Sequence, residues 1–168
     1  MDRDGLRALQ EPLKEQYRDE PGSAIVTLEA TGTLEDGIAC SVDTGRALAA
    51  AGLHPASGGD GSLVCSGDML LQALVACAGV TLRAVATSLE LDVSGSVHAE
   101  GDLDFRGTLA VDRDVPVGFT AIRLRFDLET DATEEQLATL VRLTERYCVV
   151  LQTLTVPPQL SVSHGTHP

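Results

Sequence analysis

Four cysteines, Cys40, Cys65, Cys77 and Cys148, carry most of the nucleophilic chemistry open to this chain. A thiolate can attack an electrophile, exchange with a disulfide or bind a soft metal. None of the four stands in a C-x-x-C pair, and the four histidines are scattered, so no zinc pattern is formed. The N-terminus "MDRDGLRALQ" is charged from its second residue, which is not the pattern of a secretory leader. Without one, four cysteines do not read as a disulfide framework. Cys77 lies in "ALVACAGVTL" (73–82), a small and apolar run. Taken alone it reads as core packing, because free cysteine is among the most buried residue types. A reactive role needs a partner from elsewhere in the chain.

The surrounding pattern predicts which elements could supply that partner. Residues 3–18 carry Leu6, Leu9 and Leu13 at helical spacing, with Pro21 and Gly22 as a stop. "SAIVTLEATG" (23–32) and "GIACSVDTG" (37–45) alternate around the turn-forming "LEDG" and predict a β-hairpin, with Cys40 as core filler. Residues 46–67 are rich in glycine and predict a long loop. Its "GGDG" lacks the Lys-Ser/Thr of a phosphate loop, so turn glycine is the better reading. Residues 68–90 give the strongest helix, apolar nearly all round and therefore buried on most sides.

Further strands are predicted in 92–112 and 119–130. Val97, Ala99 and Leu103 form one apolar face, and Ile122, Leu124, Phe126 and Leu128 form another. Thr133 to Gln136 is a capping box. It opens a helix with Leu137, Leu140, Val141 and Thr144 on one face, and eleven residues past Leu137 the same face returns to within about 20°. The residue there is Cys148. "PPQLSVSHG" can add a last strand behind its prolines. Each main helix thus offers a cysteine to its buried side.

With "LLQALVACAGVTLRA" and "ERYCVVLQT" in this order, the chain resembles the OsmC/Ohr family of osmotically inducible and organic-hydroperoxide-resistance proteins. The likeness covers nearly everything from about residue 23, leaving 1–22 as an N-terminal helical extension to an OsmC-like domain of residues 23–168. It implies an α+β fold made as an intertwined homodimer, with two long central helices inside sheets built by both subunits. It further implies thiol-dependent reduction of an organic hydroperoxide. Cys77 would form a sulfenic acid, Cys148 would resolve it to a disulfide, and an external dithiol would restore the pair. No cofactor is implied. In the hydroperoxide-resistance branch a hairpin arginine and a glutamate ten residues before the first cysteine activate the thiol; here Leu34 and Gly67 stand near those positions. Asp68 can replace the acid or serve as a helix N-cap. Arg46 is the leading candidate for the cation, ahead of Arg83, Arg142 and Arg146. Cys65 reads as a loop cysteine or an alternative resolving thiol. The alternative function is a non-catalytic small-molecule binder or redox sensor with a degenerate activation site.

The totals set outer bounds. With 168 residues and 43% apolar content the chain suits one soluble domain. Twelve basic residues against twenty-five acidic ones, a net charge of −13, argue against nucleic acid and anionic membrane as partners. The longest uncharged apolar run, Met69 to Leu82, is too short for a bilayer. A cytoplasmic location is expected.

Overall fold

A computed structural model describes residues 2–5, 8, 10, 19, 31–35, 39–43, 48–110 and 112–165. Of the expected N-terminal helix, residues 3–5, 8, 10 and 19 are helical, and the rest lie outside the described residues. Arg3 reaches across to Glu90 at 2.8 Å.

A hairpin forms from β1 (Thr31–Glu35) and β2 (Ala39–Asp43), paired antiparallel with Leu34 opposite Cys40, so Leu34 and Glu35 of the expected turn are strand residues and β1 overlaps the expected first strand only at 31–32. Residues 23–30, and the side chain of Cys40, lie outside the described residues. The long loop expected at 46–67 is instead partly sheet. β3 (Leu48–Gly52) continues antiparallel on β2, and β4 (Val64–Cys65) pairs parallel with β3. Between them Pro55–Ser57 makes a 3-10 turn whose first N–H groups are capped by His54. Gly59 is required there: a Cβ would lie 1.8 Å from the Leu53 carbonyl oxygen. The composition signalled the turn, but short strands of alanine and glycine carry little β signal.

β4 runs directly into α1 (Ser66–Ser88), which starts and stops two residues earlier than expected. At 23 residues, with a mean hydropathy of 1.8 in its most apolar window, α1 is long and apolar enough to cross a bilayer. The 14-residue uncharged run understated it, because Asp68 and Arg83 lie within the helix without ending it. Its packing gives it another task. Leu74, Ala78, Leu82 and Ala86, at successive four-residue steps, form one buried line.

That line faces a second sheet and a helix pair. β5 (Ser94–Leu103) and β6 (Phe119–Glu129) are antiparallel, with Val97 opposite Phe126 and Ala99 opposite Leu124. The two apolar faces read from the sequence are therefore one face. Its opposite side is charged, where Arg123 bonds Glu100 at 2.6 Å and Asp102 at 2.5 and 2.9 Å. A short helix, α2 (Phe105–Thr108), leaves β5, and its Phe105 ring stacks on His54 at 5.1 Å.

The capping box forms as expected, with Thr133 and Gln136 bonding reciprocally at the start of α3 (Glu134–Tyr147). Leu140 and Thr144 are buried. The helix does not run through Cys148. It breaks there and resumes as α4 (Val149–Thr155). Residues 157–165 form no strand in this chain; they are extended coil, with Leu160 86% and Val162 97% exposed. A strand needs a neighbouring edge to take up its N–H and C=O groups, and two prolines already remove two donors.

Candidate active site

The core divides into two clusters along α1. The first joins Leu82, Ala86, Val93 and Leu140. The second joins Leu74, Ala78 and Cys148, with Cys77, Val97, Ile122, Val150 and Leu151 around them. The second cluster is where the two helix cysteines meet, although 71 positions separate them in the chain.

The break at Cys148 makes this meeting specific. Cys148 has φ −72° and ψ 106°, closing α3 and opening α4. Its N–H donates to the Thr144 carbonyl at 2.9 Å, and its own carbonyl accepts from the Gln152 N–H at 2.9 Å. The Gln152 side-chain amide spans the break and donates to the Glu145 carbonyl at 2.8 Å. In an unbroken helix the N–H groups of residues 149 and 150 would bond carbonyls four positions back. A fresh helix start leaves them free. Val150 packs in the same cluster as Cys77, at this new helix start.

The electrostatics follow from this geometry. Burial pushes the Cys77 thiol up, but the combined hydrogen bonds outweigh it and hold Cys77 below its ordinary value. Those bonds come from the Val150 N–H, the Cys148 thiol, the Val149 N–H and the Thr81 hydroxyl. Cys148 moves the opposite way. Burial pushes it up, and its bond to Cys77 and the Cys77 charge add to that, against backbone bonds at Leu151 and Val150. Cys148 has no solvent exposure, whereas Cys77 is half-buried. The pair therefore loses its first proton at the reachable sulfur and keeps the second on the buried one. A thiolate beside a thiol donor can attack an electrophile and then close a disulfide.

The remaining candidates fall away from the two sulfurs or beyond the described residues. Asp68 is the third residue of α1 and exposed, so it is not the N-cap; Cys65 takes that position, without a side-chain cap bond. Both line a cavity of about 360 Å³ with His54, Leu71, Phe105 and Phe119. Cys65 precedes Cys77 by twelve residues of helix, about 18 Å along the axis, whereas a disulfide needs Cα atoms within about 7 Å. It cannot resolve Cys77 within one protomer. Arg83 donates to the Val93 carbonyl, and Arg146 lies 5.8 Å over the Tyr147 ring. Arg142 is exposed on α3, and Arg46 lies outside the described residues. Among the described residues, no cation is part of the set acting on Cys77.

Two contributors escaped the sequence reading. Thr81 was legible, since it lies one helical turn after Cys77 on the same face. The free amides of Val149 and Val150 were not, because "TERYCVVLQTL" contains no glycine or proline to announce a break.

An α+β domain with two thiols in contact across two helices defines a class of protein, and comparison with known proteins places the chain within it. The family model described as "OsmC-like protein" matches residues 59–163. The chain belongs to that family. Among solved structures it is similar to an OsmC-like protein from Mycoplasma pneumoniae, with 14% identity and a TM-score of 0.67 over 79% of this chain and 89% of that one. A hypothetical protein from Aquifex aeolicus VF5 aligns with 17% identity and a TM-score of 0.62 over 79% and 90%. The organic hydroperoxide resistance protein OhrB of Bacillus subtilis aligns with 18% identity and a TM-score of 0.53 over 80% and 94%. At these identities the likeness shows the fold. No curated protein matches the sequence significantly.

Proposed function

We propose that this protein is a homodimeric, cysteine-based peroxidase that reduces organic hydroperoxides. The observation that carries the reading is the packing of Cys77 and Cys148, from two separate helices, into one apolar cluster, where Cys77 is held low and Cys148 high. The Cys77 thiolate attacks one oxygen of the hydroperoxide; the S–O bond forms, the O–O bond breaks, and the alkoxide leaves and is protonated to an alcohol. The Cys148 thiol then attacks the sulfenic acid, forming the disulfide and releasing water. An external dithiol reduces that disulfide and supplies both electrons. The apolar side chains of Val97, Val150 and Leu151 around the sulfurs favour an organic over a more polar peroxide. Asp68, Arg46 and Cys65 are candidates for supporting roles from a second subunit.

The homodimer is supported by α1. Only 22% of its most apolar window is buried within one protomer, and Val80 is 73% exposed. A second reading, a redox sensor or small-molecule binder on the same cleft, is favoured by one observation: the groups acting on Cys77 are neutral hydrogen-bond donors. Cumene hydroperoxide and dithiothreitol separate the two. The peroxidase reading expects peroxide consumption with multiple turnovers that Cys77→Ser abolishes. Stoichiometric oxidation without turnover, with any of several dithiols, refutes it and leaves the sensor.

A further inference from the structure

The last carbonyls of a helix have no N–H partner within it. A glycine in the left-handed region just past the end commonly supplies one. The stretch "YCVVLQTL" (147–154) contains no glycine, and Cys148, at φ −72° and ψ 106°, lies outside that region. Two other bonds finish α3. The Thr144 carbonyl accepts from the Cys148 N–H at 2.9 Å. The Glu145 carbonyl, which the Val149 N–H would reach in an unbroken helix, accepts from the Gln152 side-chain amide at 2.8 Å. A side chain thus stands in for a backbone donor. It does so from the first turn of α4, where the Gln152 N–H is itself bonded to the Cys148 carbonyl at 2.9 Å. One residue ties the two helices together across the break.

The break changes what faces Cys77. Residues two apart on a helix are turned by about 200°, so an unbroken helix that directs Cys148 inward would direct Val150 nearly the opposite way. Yet both pack in the cluster that holds Cys77, together with Leu151 and Leu154. We propose that Gln152 is a positioning residue: its clamp on Glu145 holds α4 at the angle that keeps Val150 as a wall beside Cys77, and so sets the size of the organic group that reaches the sulfur. The inference deepens the peroxidase reading and rests on it for the identity of that group. Gln152 is exposed, so it acts through the helix and not on the sulfur. Without its amide the Glu145 carbonyl is open to the Val149 N–H, the two helices can straighten into one, and Val150 turns outward.

The test uses two thiol reagents of one chemistry and different size. Rates of addition of N-ethylmaleimide and N-(1-pyrenyl)maleimide at Cys77 are measured at one pH in the full-length protein, by mass from the Cys77 peptide. Both reagents need the thiolate, so the ratio of the two rates cancels its fraction and leaves access. Gln152→Met keeps the length of the side chain and removes the donor. Losing one net hydrogen bond changes an equilibrium by roughly two- to twelvefold, so the pyrenyl-to-ethyl ratio should rise about fivefold. Gln152→Lys, which can donate to the last carbonyls of a helix, should stay within about twofold of wild type. Val150→Ala should raise the ratio with the clamp intact. A wild-type ratio in Gln152→Met overturns the proposal. So does a Gln152→Lys ratio as high as that of Gln152→Met, or a Val150→Ala ratio equal to wild type. Maleimide addition does not depend on peroxide turnover. A ratio that responds to Gln152→Met in a protein that turns over no peroxide rejects the peroxidase and keeps the clamp, and turnover with an unresponsive ratio rejects the clamp alone.

Discussion

Replacing Cys148 by alanine tests the coupling of the two sulfurs most directly. Cys77 packs against Cys148, whose thiol favours the charged form of Cys77. A hydrogen bond to a charged group is worth about 1.5–3 kcal/mol, and 1.36 kcal/mol corresponds to one pKa unit. The S–H group is a weak donor, which puts the loss at the lower end, about one unit. The main upward influence on Cys77, its burial, stays in place, and so do the backbone amides of Val149 and Val150. Alkylation of Cys77 in Cys148→Ala should therefore follow a curve displaced about one pH unit to the alkaline side. Cys148→Ser, which retains an O–H donor, should move less. Removing a fully buried sulfur also leaves a small void, costing about 1 kcal/mol of stability. Peroxide should then convert Cys77 to sulfinic acid, since no neighbouring thiol condenses with the sulfenic acid, and intact mass should record two added oxygens. Identical alkylation curves for Cys148→Ala and wild type would show that the sulfurs do not touch in solution, and the site described above would be wrong.

Peroxide consumption by the native protein should rise with pH through the Cys77 ionisation, which lies below the ordinary thiol value of 9.0, and level off above it; a rise continuing past pH 9 would contradict the hydrogen-bonded thiolate. Gln152→Glu keeps the side-chain shape at the helix break but replaces the donor to Glu145 with an acceptor, so the Cys77 alkylation midpoint should rise, whereas Gln152→Lys, which can donate, should restore it. Leu74 has no solvent exposure, and Leu74→Ala should cost about 2–5 kcal/mol in denaturant unfolding. On the open face of α1, Val80→Asp should reduce the mass measured by light scattering from dimer to monomer, and a wild-type protein that is already monomeric would refute the dimer.

Local signals in the sequence were enough for much of the architecture. The reciprocal bonds of Thr133 and Gln136 involve residues three positions apart, so the start of α3 was legible from their types. The same holds for the alternation in β5 and β6 and the apolar line of α1, since each repeats within its own element. Boundaries were less legible. Asp68 has the chemistry of an N-cap but sits three residues inside the helix, because β4 already carries the chain to Cys65 in an extended conformation.

What the sequence determined by itself is the inventory: four thiols, the acidic balance, a long apolar helix, a capped amphipathic one, and the motifs that mark the OsmC-like family. Tertiary structure decided which of these meet. It turned two separate apolar strand faces toward one core, ended α3 at Cys148, and brought that cysteine to the cluster of another 71 residues away. The physical reason is that ionisation answers to distance and burial, and a backbone N–H is identical in every residue type except proline. Its direction, and therefore its effect on Cys77, exists only once the chain is folded.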